Sequence, residues 1–360
     1  MKMRNTMIKT VAALVMGWGL VQAPAMAQSA AKEDGLFTIR IGQQPQRWAL
    51  EWFIASEKGW WKEVGLNPVF SNFASGAVTI AAGASGSMDV GGGGNIPAVL
   101  GAAKYGLQTI GLADGESTII TMMATKDKAD EYLKNPAALK GKTIPVTTNT
   151  TSQWGATACL HKKFGLKPGE YKLLNLSPPD INAAVMSGKY DAASVWAPNT
   201  YILQESIGAK VICTATEMKL PIHGYLFTTP EFAKAHPAEV AKFMAVYLRA
   251  VEWQRKHPAE TQAYLKQFFD KVGVKFDDKY LAQELNDRPV YSLDEQLKTF
   301  TPDAAGKSEI LGWWHEVSDF MMSVKMIKSV PDPKTNITNK YLKMVQDDPK
   351  LRAFVAEGSK

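Results

Sequence analysis

Two stretches of this 360-residue chain read alike: SGSMDVGGGGNIPAVL at residues 85–100 and SGKYDAASVWAPNTYIL at residues 187–203. Each follows an alanine-bearing helical stretch and places an aspartate three residues past a Ser-Gly pair (Asp89, Asp191). Each then runs through a short strand-like segment to a proline (Pro97, Pro198) that opens a helix. Proline suits that position because the N–H it lacks would be unpaired in a first helical turn anyway. Two matching units about a hundred residues apart predict two lobes built alike, with equivalent loops facing each other.

The segments around these units alternate. FTIRIG (Phe37 to Gly42) has strand periodicity, WALEWFIASEKGWWKEVG has helical spacing closed by Gly65, and NPVFSNF reads as a strand again. Such alternation predicts an α/β fold with largely parallel sheets. After about residue 231 the pattern turns helical, with apolar residues three and four apart in EFAKAHPAEVAKFMAVYLRAVEWQRK, ETQAYLKQFFDKVG and ILGWWHEVSDFMMSVK, so the C-terminal third is expected to be a helical layer. Fibrous, disordered and multi-span membrane classes are excluded by ordinary apolar content, 46%, and by the lack of a compositional repeat.

Residues 1–27 carry Lys2, Arg4 and Lys9 with no acid, an apolar run from Val11 to Val21, and small residues at Ala25 and Ala27. This reads as a secretory signal cleaved before Gln28. Without it the formal charge falls from +6 to +3, no nucleic-acid partner is expected, and the mature chain is expected to be a soluble exported monomer. Export allows the two cysteines to pair. Cys159 nevertheless sits mid-helix in ATACLHKKF and Cys213 in the strand-like AKVICTA, and two separate buried thiols are expected.

Catalytic constellations are scarce. The five histidines show no metal-ligand spacing within one element, and there is no G-x-S-x-G, H-E-x-x-H, Walker-type G-K-[ST] or C-x-x-C. No metal, no cofactor and no enzymatic activity are expected. The glycine run at 91–94 lacks a phosphate-loop register and is read as letting a ligand or the opposite lobe approach the backbone. What remains is a set of polar loops at strand ends, where open α/β sheets bind ligands. They offer Gln44, Arg47 and Trp48 after the first strand, Asn95 after the glycines, and Ser117 after TIGLADG. In TTNTTSQWGA, Thr150, Thr151 and Ser152 stand at the start of a helix that also carries Trp154; hydroxyls there can simply cap the helix, or can serve an anion. Trp196 in VWAP, with His223 and Tyr225 in PIHGYLF, completes the candidate ring, while Trp253, Trp313 and Trp314 are assigned to packing.

In these residues the chain resembles the periplasmic solute-binding proteins of ABC importers for sulfonates, taurine and nitrate-type anions. KGKTIPVTTNTTSQWGATACLHKKFGLKPGEYKLLNLSPPDINAAVMSGKYDAASVWAP, SGSMDVGGGGNIP and RPVYSLDEQ carry the resemblance. It implies a two-lobed, type II-like periplasmic-binding-protein fold with two strand crossovers. Residues 36–120 and 226–345 would form one lobe and 121–225 the other. It also implies capture of a small organic anion, sulfonate or carboxylate, and delivery to an inner-membrane permease. Where taurine-binding members place an aspartate this chain has His223, so taurine is expected to be a poor ligand. The alternatives are an aromatic sulfonate or carboxylate stacked on Trp48, Trp154 or Trp196, a nitrate-type anion, or an enzyme of thiamine-pyrimidine synthesis on the same fold.

Overall fold

The computed structural model describes residues 32, 33 and 35–360. The signal segment expected over residues 1–27 lies outside the described residues. Eleven strands are described: β1 (Lys32–Glu33), β2 (Leu36–Gln43), β3 (Leu66–Asn72), β4 (Val90–Gly94), β5 (Gln108–Gly115), β6 (Ile120–Ala124), β7 (Thr143–Val146), β8 (Lys172–Asn175), β9 (Ala192–Trp196), β10 (Lys210–Thr214) and β11 (His223–Thr228). One sheet takes β1 to β5 and β11; a second has the order β10-β6-β9; β7 and β8 pair separately.

The expected largely parallel sheets are corrected to mixed ones. β2 runs parallel to β3 and β4, but β11 is antiparallel to both β4 and β5, and β6 is antiparallel to both β9 and β10. The cause is the double crossover. β5 leaves the first sheet at Gly115 and β11 enters it at His223, directly opposite, so the entering strand has to run back along the leaving one. The same happens in the second sheet, where β6 begins beside the end of β10.

The two matching sequence units fold alike. β4 is followed by the helix Asn95–Tyr105 and β9 by the helix Asn199–Ile207. Gly86 and Gly188, at the end of each preceding helix, both adopt left-handed backbone, φ 71° and 73°, which glycine takes without steric cost. Asp89 holds the backbone N–H of Arg40 at 2.8 Å and its guanidinium, while Asp191 accepts from Lys142 Nζ at 2.7 Å. The Asp89 and Asp191 carbonyls in turn accept from Thr229 N and Thr125 N. Each aspartate therefore ties the start of its strand to neighbouring segments from an equivalent place.

The C-terminal helical layer is present and packs on the first sheet. Its helix Pro237–Lys256 buries Phe243, Met244, Tyr247 and Val251 against Trp48, Trp52 and Ile54 in one large core. That core also takes in Trp154, Trp196 and Tyr201 from beyond the first crossover. The second sheet is covered on both faces by smaller cores, one around Met122, Leu160 and Ile212, the other around Ile181, Val195 and Leu203.

Cys159 and Cys213 form a disulfide, with Cα atoms 6.0 Å apart, which corrects the expectation of two separate thiols. The helix Thr151–Ala158 lies across the second sheet and ends in a wider π-helical turn at Cys159–Lys163, and that packing brings its end onto β10. Neither local pattern carries that distance. A cross-link spanning 54 residues restricts the unfolded chain by about 4 kcal/mol in loop-closure terms, and about 2–4 kcal/mol is the usual measured range. The C159S/C213S variant is expected to lose stability in that range by urea unfolding, and an unchanged midpoint would show the cross-link to be incidental.

Candidate functional site

Loops at the carboxyl ends of strands from both sheets meet in a cleft between the lobes. Gln44 and Gln46 follow β2, Gly76 and Pro97 stand at helix starts, Gly94 ends β4, Glu116 lies in the first crossover and Ile120 opens β6. Across from them stand Thr150, Thr151 and Ser152 at the start of the helix Thr151–Ala158, with Trp196 at the end of β9. The space between these groups is about 20 Å³, little more than a single water needs. The lobes touch here. Thr151 Oγ1 donates to Asn95 Oδ1 at 3.4 Å, and a Cβ added to Gly94 would stand 2.2 Å from Thr151 Oγ1. Gly92 answers a different need, since its missing Cβ leaves room for the Trp48 ring.

No side chain caps the helix at Thr150. Thr150 Oγ1 donates instead to the Thr147 carbonyl at 2.6 Å, and Ser152 Oγ bonds Ser194 Oγ at 2.9 Å. The first-turn N–H groups of a helix have no partner within it, and together with the axial dipole they favour an oxygen-bearing anion. Asn149 just before them takes left-handed backbone, φ 58°, and its N–H donates to Gln153 Oε1 at 2.9 Å, which sets the approach of the loop to the helix.

The opposite wall is organised by a buried arginine. Arg288 donates to Asp114 Oδ2 at 2.7 Å, Glu116 Oε1 at 2.9 Å, Glu284 Oε1 at 3.1 Å and Gln46 Oε1 at 3.3 Å. Gln46 Nε2 then donates to Gln44 Oε1 at 3.2 Å. Three buried carboxylates share one guanidinium, so negative charge is in excess. Burial first, and then the nearby Asp114 and Glu284, push the Glu116 carboxyl up to about 8 although Arg288 opposes the shift. The Glu116 carboxyl therefore holds its proton to higher pH than a free one and, while protonated, can donate a hydrogen bond into the cleft.

The twelve residues singled out from sequence separate into two groups. Gln44, Thr150, Thr151, Ser152 and Trp196 line the cleft, and Asn95 bonds across its edge. The other six do not line it. Arg47 is fully buried against Glu51 and Gln254, at 2.5 Å each, and Trp48 is core, edge-on to Trp52 at 5.3 Å. Ser117 stitches the crossovers, donating to the Leu220 carbonyl at 2.7 Å and accepting from Ile222 N. Trp154 stacks on Phe320 of the helical layer at 5.7 Å. Tyr225 is buried in β11 between two strands.

His223 stacks on Trp313 at 3.9 Å, and burial pushes its imidazole down to about 4, so it is neutral and lies outside the cleft lining. The taurine argument drawn from His223 thus loses its premise. The acid of the cleft is Glu116, which the sequence reading missed inside ADGEST, next to the singled-out Ser117. Arg288 was missed too, although RPVYSLDEQ begins with it. Among the described residues no group of three or more His, Cys, Asp or Glu is placed to hold a metal ion.

Removing Arg288 would leave three carboxylates without their shared cation, so R288M is expected to lose about 3–5 kcal/mol of stability in urea unfolding. Gly94 has ordinary backbone, φ −62°, so G94A meets its chief obstacle at Thr151, with Glu116 Oε2 next at 3.3 Å. G94A is expected to fold normally but to close less tightly, read as a larger radius of gyration by X-ray scattering. Reversal in G94A/T151A would confirm the contact; an unchanged radius in G94A would dismiss it.

The comparisons agree with this architecture. The taurine-binding periplasmic protein of Escherichia coli (strain K12) is 29% identical over 270 residues, 73% of this chain and 75% of its own length. Among solved structures, the alkanesulfonate-binding protein of Xanthomonas axonopodis pv. citri bound to MOPS superposes with a TM-score of 0.69 at 21% identity, covering 84% of this chain and 98% of that one. The periplasmic aliphatic sulphonate binding protein of Escherichia coli does so with a TM-score of 0.65 at 19% identity, covering 84% and 92%. These likenesses show the two-lobed periplasmic-binding-protein fold. Residues 49–261, more than half of the sequence, match the family described as NMT1/THI5 like, and the chain belongs to that family.

Proposed function

We propose that this protein is the substrate-binding component of an ABC importer, exported to the periplasm, where it closes on a small sulfonate-type anion and delivers it to the permease. The observation that carries this reading is the uncapped helix start at Thr150–Ser152, set against Gln44, Gln46 and Glu116 of the other wall. The names of the similar proteins, which bind taurine and aliphatic sulfonates, point the same way. In this reading the lobes are residues 36–120 with 226–345, and 121–225. The anion's oxygens accept from the helix-start N–H groups, from Thr151 once its hydroxyl turns from Asn95, and from protonated Glu116. Closure then presents both lobes together, a form the permease can distinguish from the open one.

A thiol-dependent enzyme is disfavoured because both cysteines are held in the disulfide and, among the described residues, no free cysteine remains. Taurine and amine-free sulfonates make opposite demands on Glu116. An amine-free anion wants the carboxyl protonated, whereas an ammonium wants it ionised. We place the amine-free sulfonate first at neutral pH.

Calorimetric titration of the mature chain with ethanesulfonate and with taurine tests the reading. T151A is expected to weaken sulfonate binding by roughly 1–3 kcal/mol, and an unchanged affinity would remove Thr151 from the site. As pH rises through the Glu116 value of about 8, the carboxyl gains charge, so ethanesulfonate affinity is expected to fall by about tenfold between pH 7 and 9. E116Q is expected to abolish that fall. A rise in its place, seen with taurine alone, would identify the zwitterion as the ligand.

A further inference from the structure

The carboxylates around Arg288 are not equally served. Asp114 receives two of its donors, Nε at 2.7 Å and Nη2 at 3.4 Å, while Glu284 and Glu116 each receive one, on Oε1. Their second oxygens differ. Glu284 Oε2 accepts from the hydroxyl of Tyr201 at 2.8 Å, whereas among the described residues Glu116 Oε2 has no donor. It stands at the cleft edge instead, 3.3 Å from where a Cβ on Gly94 would be. Tyr201 belongs to the helix Asn199–Ile207, beyond the first crossover, and Glu284 to the helix Lys279–Asn286 of the C-terminal layer, so their bond joins the two lobes. It does not stand alone. Tyr201 stacks on Tyr280 at 4.7 Å, and Glu205, one turn further along, accepts from the Asp277 N–H at 2.9 Å.

These carboxyls share one cation in a space nearly closed to water: Arg288, Asp114 and Glu284 are wholly buried and Glu116 is 4% exposed. A buried surplus charge is relieved by keeping a proton, and the carboxyl that keeps it is the one with fewer donors to its charged form. Burial pushes both Glu116 and Glu284 up and Arg288 pulls both down, but Tyr201 pulls down Glu284 alone. The other charged or titratable groups that face the cluster are Asp287 beyond the Glu284 helix, Tyr291, and Arg47 behind Asp114. Among the described residues none of these donates a hydrogen bond to either glutamate.

Resting on the sulfonate reading for the ligand it serves, we infer that Tyr201 is a positioning residue for anion capture: its hydroxyl keeps Glu284 ionised and so leaves the proton of the cluster on Glu116, whose second oxygen faces the cleft. No proton is gained or lost in this; it sits on Glu116 rather than on Glu284. Separating the lobes withdraws the hydroxyl, the proton passes to Glu284, and Glu116 meets the cleft as a carboxylate. An anion therefore finds its donor only as the lobes come together, and like charge aids its release when they part.

Carbon-13 titration of the mature chain labelled at glutamate, with the two carboxyls assigned from E116Q and E284Q, reads the placement directly. It is run free and with saturating ethanesulfonate. In wild type Glu116 is expected to titrate above Glu284. Y201F keeps the ring but removes the hydroxyl, so Glu284 is expected to move up by about one pH unit or more and Glu116 down. By calorimetry Y201F is expected to bind ethanesulfonate about tenfold more weakly at pH 7 and to lose most of the fall in affinity between pH 7 and 9. Titrations that match wild type under both conditions would overturn the proposal. So would a loss of affinity equal at every pH, which would make Tyr201 a packing contact only. Should Y201F fail to fold, E284D draws the carboxyl back from the hydroxyl and keeps its charge; Glu116 is expected to move down there too, and an unmoved Glu116 would overturn the proposal. Should ethanesulfonate not bind wild type, the sulfonate reading would fall, while the free-chain titration would still decide where the proton sits.

Discussion

A single buried guanidinium sets up one wall of the cleft. Arg288 ties Asp114 at the end of β5, Glu116 in the crossover, Glu284 in the helical layer and Gln46 after β2, four positions far apart in sequence. An arginine can do this because its planar fork presents several donors at fixed angles and stays charged under burial. Burying such a cation without partners would be prohibitive, and burying three carboxylates with only one cation leaves a surplus of negative charge. The surplus, with burial, raises both the Glu116 and the Glu284 carboxyls. Structural charge pairing and the chemistry of the cleft are therefore one arrangement.

The network also reaches across the lobes. Tyr201, on the helix after β9, donates to Glu284 Oε2 at 2.8 Å and stacks on Tyr280 at 4.7 Å. Closure thus places a hydroxyl from one lobe on a carboxylate that Arg288 holds in the other. At the crossovers, Ser117 and the Glu116 N–H are bonded to residues 220 and 222, so the two connecting segments are fastened to each other. The two-lobed fold thus combines a linked pair of connections with side-chain contacts between the lobes.

Sequence reasoning succeeded where the signal was local. Strand periodicity placed β2 and β3, the matched Ser-Gly-x-x-Asp units marked equivalent strands β4 and β9, and Thr150–Ser152 were recognisable as a helix start with more hydroxyls than a cap requires. It erred where a polar or aromatic side chain beside a strand end can turn either way. Arg47 and Trp48 lie within four residues of Gln44, yet the helix that begins there turns them inward onto Glu51, Gln254 and Trp52. His223 and Tyr225 stand instead at the start of β11, which is flanked by strands on both sides, and the helical layer covers it through Trp313.

By itself, the sequence determined the α/β class, the helical C-terminal layer and the duplication of the strand units, because these depend on spacing along one chain. The tertiary structure alone decided the Cys159–Cys213 pairing, the assembly of Arg288 with its three carboxylates and the elevated Glu116. Each of these depends on distances between segments tens to hundreds of residues apart, and on the loss of solvent that burial brings. Periodicity encodes which face of an element is apolar, but not which other face it will meet.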